Sequence, residues 1–533
     1  MIGWLDAYLL PLLVGLPALG AFFVAVMPPS DRITLRHAGM GASLLTGLVA
    51  LYATWRLAAR GGAEPIVWPS ELAPGGVALA LDGADLPVLL VIAFLLPMSL
   101  RAGAPRIVER TQGYVVLMLV AEALAIAAVL AKSSLLALAF VDATSIPLLL
   151  LLGVFGGAIR GTASLRVGML WFVVDAGALA SVTWLASETP AGLLAGVDDL
   201  RRVGVALPST TAALALVPIV AAGFMRLAVA PLSVWLPQFL EEAPVSAAAL
   251  VPVVVMPVGA LALYRHGLLA LPSGALLLLG PATALAVVTA LLGGLLCLVE
   301  RDLRRLIAFA GMFHGGLAAV GLFALDKGSV ASALVFVSAM GTASAFALFI
   351  ADALERRYLV RDSSELIGVS QQLPALWRLA LLAFVALVGV PLLAGGTLLL
   401  DLLSGMSAAS SFVAAGLPPN AALWGVAGVG VAWVLLAAGA MGTLKRLSSS
   451  PVRQAVRAPS PLTLGQAARL WVPALLVVAA GLLAPLLLSR VEVSVRAELD
   501  KSADALAREV PAEHRWTPAS SQGAFPRPTP EAP

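Results

Sequence analysis

A chain of 533 residues that is 60% hydrophobic and only 12% charged is not a string of soluble domains, which carry about 25% charged residues. Its formal charge of +3 gives no electrostatic reason to expect a nucleic-acid partner. A single cysteine, Cys297, rules out a disulfide framework and a cysteine-held cluster within the chain; in its apolar run it reads as a small core residue.

The apolar stretches repeatedly reach about 20 residues, the length that crosses a hydrocarbon core. They are continuous, whereas a β-barrel needs short alternating segments. The expected fold class is therefore an all-α polytopic membrane protein. The first stretch, "MIGWLDAYLLPLLVGLPALGAFFVAVMPP", lacks a basic n-region and is too long for a cleaved signal peptide, so it is expected to be the first membrane helix. About fourteen spans follow from the apolar runs, centred near residues 18, 48, 92, 122, 145, 176, 221, 256, 285, 313, 342, 388, 433 and 478. Loops after odd-numbered spans hold 19 Lys and Arg residues against 7 in loops after even-numbered ones. Cytoplasmic loops are the basic ones, so both termini are expected on the outer face of a cell inner membrane. Residues 1–490 are expected to form the membrane domain and residues 491–533 a polar tail. The tail's last part, "SSQGAFPRPTPEAP", cannot bury a core and is expected to be disordered.

Ionisable side chains inside spans are costly and point to function. Here they are Glu122, Asp142, Asp175, Arg226, Asp352 and Asp401, with His314 in an apolar helix. Asp352 and Asp401 lie near expected helix ends and read more as caps or structural pairs than as functional groups, whereas Asp175 reads equally as either. Asp142 and Arg226 lie deeper and could pair. The four histidines, His37, His266, His314 and His514, have no metal-ligand spacing. The stretch "GFMRLAVAPLSVWLPQFLEEAP", Gly223 to Pro244, places Arg226 beside Pro231, Pro237 and Pro244. Proline opens a helix, and an opened helix survives in a membrane only where protein or water satisfies its backbone. A hydrated pocket at membrane depth is the expectation, and interrupted helices of this kind often mark ion pathways.

Several segments carry a family resemblance. "APLSVWLPQFLEEAP" resembles a P-L-H-x-W-L-P-D-A-H-x-x-A-P signature, with Pro231, Leu232, Trp235, Leu236, Pro237, Ala243 and Pro244 matching. "ERDLRRLIAFAGMFHGGLAAVGL" resembles D-x-K-R-x-x-A-Y-S-S-x-S-H-x-G, with Arg305, Ala308, His314 and Gly316 in register. "FVDATSIPLLLLLGVFGG" resembles F-W-E-x-x-x-I-P-x-x-x-x-I-G-x-W-G-G, and "LDGADLPVLLVIAFLLPMSL" and "GVPLLAGG" resemble third- and twelfth-helix segments. The chain thus resembles, over about residues 80–405, the antiporter-like membrane subunits of proton-pumping NADH–quinone oxidoreductase (complex I), the chain M type more than chain L. Cation/proton antiporters and membrane hydrogenases contain relatives.

The resemblance implies about fourteen helices in which two five-helix repeats of inverted topology each contain a broken helix, the seventh and the twelfth. It implies a membrane-centre relay of lysines, a glutamate and a histidine. It also implies NADH, FMN, iron–sulfur clusters and quinone held by partner subunits, with this chain carrying no catalytic, metal or cofactor site. Glu122 and His314 match relay positions. Elsewhere the chain departs. The fifth-helix glutamate is Asp142, and the seventh-helix lysine is Arg226, which stays charged at any usable pH. The eighth-helix lysine falls on Pro257. The eleventh-helix histidine falls on Ala339 or Met340, and the twelfth-helix acid falls on Leu399, with Asp401 two positions on. The expected proton-relay or ion-pair residues are Asp142, Arg226, Glu122, His314 and Asp401, with Asp142 and Arg226 paired. Pro231, Trp235, Pro237 and Pro244 would shape the break.

Three functions compete. The first is a proton-translocating subunit of an NADH–quinone oxidoreductase-like complex, an enzyme only as an assembly, with membrane and peripheral subunits and lipid as partners. The second is a non-pumping scaffold. The third is a subunit of a cation/proton antiporter, a hydrogenase or an inorganic-carbon uptake system.

Overall fold

A computed structural model describes residues 6–60, 64–68, 78–103, 107–366, 368–390, 393, 395–408, 416–418, 420–448 and 464–509. Its helices follow the apolar runs: α1 Leu9–Val26, α2 Arg32–Ala59, α3 Leu86–Gly103, α4 Thr111–Leu130, α5 Ser134–Phe155 and α6 Arg160–Ser187. A short α7, Val197–Ala206, precedes α8 Ser209–Arg226, α9 Trp235–Glu242 and α10 Val245–Leu268. The chain continues through α11 Pro272–Val299, α12 Leu303–Phe323, α13 Lys327–Tyr358, α14 Pro374–Val388, α15 Gly396–Ala408, α16 Ala421–Ser448 and α17 Leu464–Glu509.

Among the described residues, 13 helices are long and apolar enough to cross a membrane. The expected span near residue 388 is instead two shorter apolar helices, α14 and α15. The 15 residues of α14 reach only about 22 Å at 1.5 Å per residue, short of a hydrocarbon core of about 30 Å. One small sheet also departs from the all-α expectation. Ile66–Trp68 (β1) pairs antiparallel with Leu79–Leu81 (β2), Ile66 opposite Leu81. Lys132 N–H donates to Ala78 O (3.0 Å), joining this hairpin to the end of α4.

Helices α12 and α13 are buried along their whole membrane-length windows and form the centre of the bundle. Both start on acidic N-caps: Asp302 accepts from the N–H groups of Arg304 and Arg305, and Asp326 from those of Gly328 and Ser329. Each cap satisfies backbone donors that a helix start leaves without partners. Small residues let the helices approach closely, the usual packing device where both solvent and core are apolar. A Cβ on Gly293 of α11 would lie 2.6 Å from Phe313 N, and one on Gly316 of α12 would lie 2.7 Å from Ala286 O. Outer helices expose large apolar side chains such as Phe22, Trp424 and Leu475, as expected of a lipid-facing surface.

Helix α17 is 46 residues long, about 69 Å, more than twice the hydrocarbon core. It does not stop at residue 490, where the composition turns polar; it stays helical to Glu509. The polar half is held by partners. Ser494 Oγ donates to Asp82 Oδ1 (3.2 Å), and Glu498 pairs with Arg201 (2.6 Å). Arg265, at the end of α10, pairs with both Asp82 (2.6 Å) and Asp85 (2.8 Å). Residues 510–533, including His514 and the segment expected to be disordered, lie outside the described residues.

Candidate functional site

Arg226 is the last residue of α8 and is 1% exposed. The backbone then leaves the helix for residues 227–234, with Ala228 in the left-handed region (φ 54°) and a cis Ala230–Pro231 bond, before α9 begins at Trp235. Three donors at this interruption have partners within the protein. Val229 N–H donates to Phe224 O (2.7 Å), Ala230 N–H to Thr289 Oγ1 (3.0 Å), and Trp235 Nε1–H to Met225 O (2.9 Å). At the far end of α9, Arg304 Nη1 donates to Ala243 O (2.8 Å) and Arg361 Nη1 to Glu241 O (3.0 Å). Pro244 caps α10, and Pro237 sits in the first turn of α9, where a missing N–H costs nothing. Pro231 is exposed in the connecting segment.

Arg226 Nη2 donates to Asp175 Oδ2 and to Ser145 Oγ (2.9 Å). Its guanidinium carbon stands 4.8 Å from the centre of the Trp171 ring, within cation–π range. The expected Asp142–Arg226 pair is therefore corrected to Asp175–Arg226. The reason is helix phase: Trp171 and Asp175 are four residues apart on α6 and share one face. That face meets Arg226, so ring and carboxylate grip the same cation. Asp142 lies beside Asp175, within the field of both charges, and its Oδ1 is buried without a hydrogen-bond partner. Ser145 and Trp171 were not among the expected site residues. The W-x-x-x-D spacing was the readable signal for Trp171; Ser145, three residues after Asp142, carried only the helical-neighbour signal.

A cavity of about 20 Å³ borders Asp175, Arg226, Gly223 and Gly259. That suffices for about one water molecule, far less than a wide hydrated pocket. Close packing explains the size, since a Cβ on Gly259 would lie 2.3 Å from Arg226 Cβ. Pro257 sits two residues earlier in a fully buried stretch of α10 flanked by π-helical turns, Val251–Val255 and Leu263–Leu268. The π turns fit a segment in which Pro252 and Pro257 supply no N–H.

The other expected residues lie apart from this cluster. Glu122 is fully buried; Ser43 Oγ on α2 donates to its Oε1 (2.9 Å), and Oε2 has no hydrogen-bond partner. His314 is buried against Phe313 and Phe336, and its Nε2 lies 3.0 Å from Leu387 O. A carbonyl only accepts, so Nε2 carries the hydrogen. His314 thereby serves a carbonyl that the end of α14 leaves over, and Trp433 Nε1–H does the same for Val388 O (2.8 Å). His314→Phe is expected to lower stability by about 1–3 kcal/mol, the cost of a buried unsatisfied acceptor. Thermal unfolding of the detergent-solubilised chain checks this; an unchanged transition would mean that another donor takes the Leu387 carbonyl.

Leu399 is buried and Asp401 exposed, with Glu492 as its charged neighbour. Asp401 is thus not brought to the buried charges, because two residues of helix turn the side chain by about 200°. Met340, at an expected histidine position, packs on the segment between α14 and α15, where a Cβ on Gly395 would lie 2.3 Å from its Sδ. Asp352 pairs with Arg356 (2.6 Å) and faces Arg304 (3.7 Å) at the basic end of the bundle. His266 hydrogen-bonds Ser134 (3.0 Å), and His37 is exposed.

A bundle of membrane-length helices with ionisable groups gathered at a non-helical segment inside it is the architecture of polytopic ion-handling membrane proteins. The chain belongs to the family described as NADH:quinone oxidoreductase/Mrp antiporter, TM, whose model matches residues 131–419. The resemblance to antiporter-like membrane subunits is borne out. The chain is similar to NADH-quinone oxidoreductase subunit 13 of Thermus thermophilus, with 29% identity over 60% of this chain and 70% of that one. It is also similar to NADH-quinone oxidoreductase subunit M of Mycobacterium tuberculosis, with 26% identity over 71% of this chain and 75% of that one. In fold it resembles a chain of respiratory complex I from Thermus thermophilus (TM-score 0.79, 23% identity, covering 93% and 99%). It likewise resembles a chain of the Mrp complex from Dietzia sp. (TM-score 0.78, 19% identity, covering 94% and 99%).

Proposed function

We propose that the chain is a proton-translocating membrane subunit of an NADH–quinone oxidoreductase-like complex, of the chain M type. Partner subunits would hold NADH, FMN, the iron–sulfur clusters and quinone. The enzyme is then the assembly, acting as a translocase, and this chain supplies the membrane part. The family match over residues 131–419, joined to a buried charge cluster inside that match, supports the reading. In this cluster Arg226 is a fixed positive charge that sets the field. Asp175 is engaged by it. Asp142, with one oxygen buried and unpartnered, is the carboxylate placed to take up and release a proton. The excess of basic residues in odd-numbered loops supports outward-facing termini in an inner membrane.

A specific observation favours a second reading, a non-pumping scaffold. Around Pro257 helix α10 is wholly buried and apolar from Val251 to Leu263. No side chain of that stretch can pass a proton between the Arg226 cluster and His314.

Gentle solubilisation from the native membrane, with NADH–quinone reductase assayed on the purified fraction, tests the assignment. Co-purification of flavin and iron–sulfur subunits with that activity is expected. Recovery with an unrelated soluble partner and no NADH oxidation would shift the assignment to an antiporter, hydrogenase or inorganic-carbon transporter subunit.

A further inference from the structure

A groove of about 810 Å³ opens between α2, α3, α13 and the start of α17, away from the Arg226 cluster. Its wall is apolar, with Met40, Leu44, Met98 and Phe349 along its length. Its rim carries three guanidinium groups, Arg101, Arg356 and Arg357, against one carboxylate, Asp352. Asp352 already pairs with Arg356 (2.6 Å), so the excess positive charge belongs to the other two. Arg101 is exposed and makes no hydrogen bond or ion pair with another described residue. Arg357 donates Nη1 to Ala353 O (2.8 Å) and Nη2 to Gln466 Oε1 (3.0 Å), while its Nε is buried without a partner.

The arrangement has two chemical ends. Arg101 lies in the last turn of α3 and Arg357 in the last turn of α13, each at the end of a membrane-length apolar helix. The apolar wall runs from there toward the membrane interior. A basic pocket between membrane helices is suited to a lipid phosphate, and a mostly apolar cleft with a few placed polar groups is the usual form of a small-molecule site. A free anion would leave the apolar wall unused, and a neutral apolar molecule would leave the guanidinium donors unmet. We propose that this groove binds an anionic phospholipid. Arg101 and Arg357 hold its phosphate, and its acyl chains lie along Met40, Met98 and Phe349. The lipid then joins α17 to α2 and α3. This inference is independent of whether the chain moves protons.

The full chain, purified from its membrane and reconstituted in discs of phosphatidylcholine with a minor share of phosphatidylglycerol, provides the test. After washing in mild detergent, the retained lipid is counted by mass spectrometry. Phosphatidylglycerol is expected to be retained in preference to phosphatidylcholine, and inorganic phosphate is expected not to displace it. Arg101→Gln, which breaks no hydrogen bond or ion pair with another described residue, should reduce retention about five-fold without moving the melting temperature, the worth of one interfacial cation. Met98→Trp fills the groove while keeping every arginine, and should release the lipid as well. Equal retention by wild type and Arg101→Gln, equal retention of the two lipids, or displacement by phosphate alone would overturn the proposal. So would a photo-crosslinker at Met98 that captures a protein subunit in place of lipid.

Discussion

Arg226→Leu is expected to destabilise the chain by about 3–5 kcal/mol, the usual cost of removing one member of a buried ion pair. The substitution strips Asp175 of its counter-ion, Ser145 of its donor and Trp171 of its cation. Most of that cost is an uncompensated buried carboxylate, and little of it is lost attraction. The double variant Arg226→Leu/Asp175→Leu should therefore recover most of the stability, because replacing a whole buried pair by apolar residues is often neutral. Thermal unfolding of the four chains in one detergent closes the cycle. Additive single effects would show that Arg226 and Asp175 are energetically independent and that the cation is held by something else.

The second large effect concerns coupling. In the purified, reconstituted complex, Asp142→Asn should leave NADH–quinone turnover in place and lower the number of protons moved per electron pair. The asparagine keeps the shape of the side chain and removes its ability to carry a proton. Arg226→Lys should keep that ratio or raise it, since a lysine in the same place can exchange a proton and an arginine cannot. If Asp142→Asn leaves the ratio at the wild-type value, Asp142 is no part of a relay.

Much of the fold was legible because a bilayer leaves few choices. Apolar runs of membrane length have to be helices, and every expected span centre falls within a helix, the one at residue 388 on the last residue of α14. What was not legible depended on partners. The helix through residues 491–509 looked like a polar tail because its polar groups find their counterparts far away in sequence, at Asp82 and Arg201. The hairpin of Ile66–Trp68 and Leu79–Leu81 has strands of only three residues each, too short for a readable period. In the site, the charges were visible and their pairing was not. Two aspartates compete for Arg226, and the winner is decided by the rotation of α6 about its axis. Family position pointed to Asp142, while the aromatic partner one turn before Asp175 pointed the other way. His314 shows a similar limit. Its position matches a relay histidine, yet its ring hydrogen is spent on Leu387 O, a bond set by where α14 stops.

Helix α17 sets an order on synthesis. It packs on α13 and α14, and its polar half grips Asp82 and Arg201, so it fastens together segments made early and late. These contacts come into being only after residues 1–448 have left the ribosome. Until then Arg201 lacks Glu498, and the backbone at Gly83 lacks the Arg490 carbonyl that lies against it. A nascent chain halted before residue 464 would hold the Arg226 cluster and leave this latch open. The cell's quality-control proteases would thus meet an unlatched Asp82–Arg265–Arg201 face on every incomplete copy, and a closed one only when translation has passed Glu498.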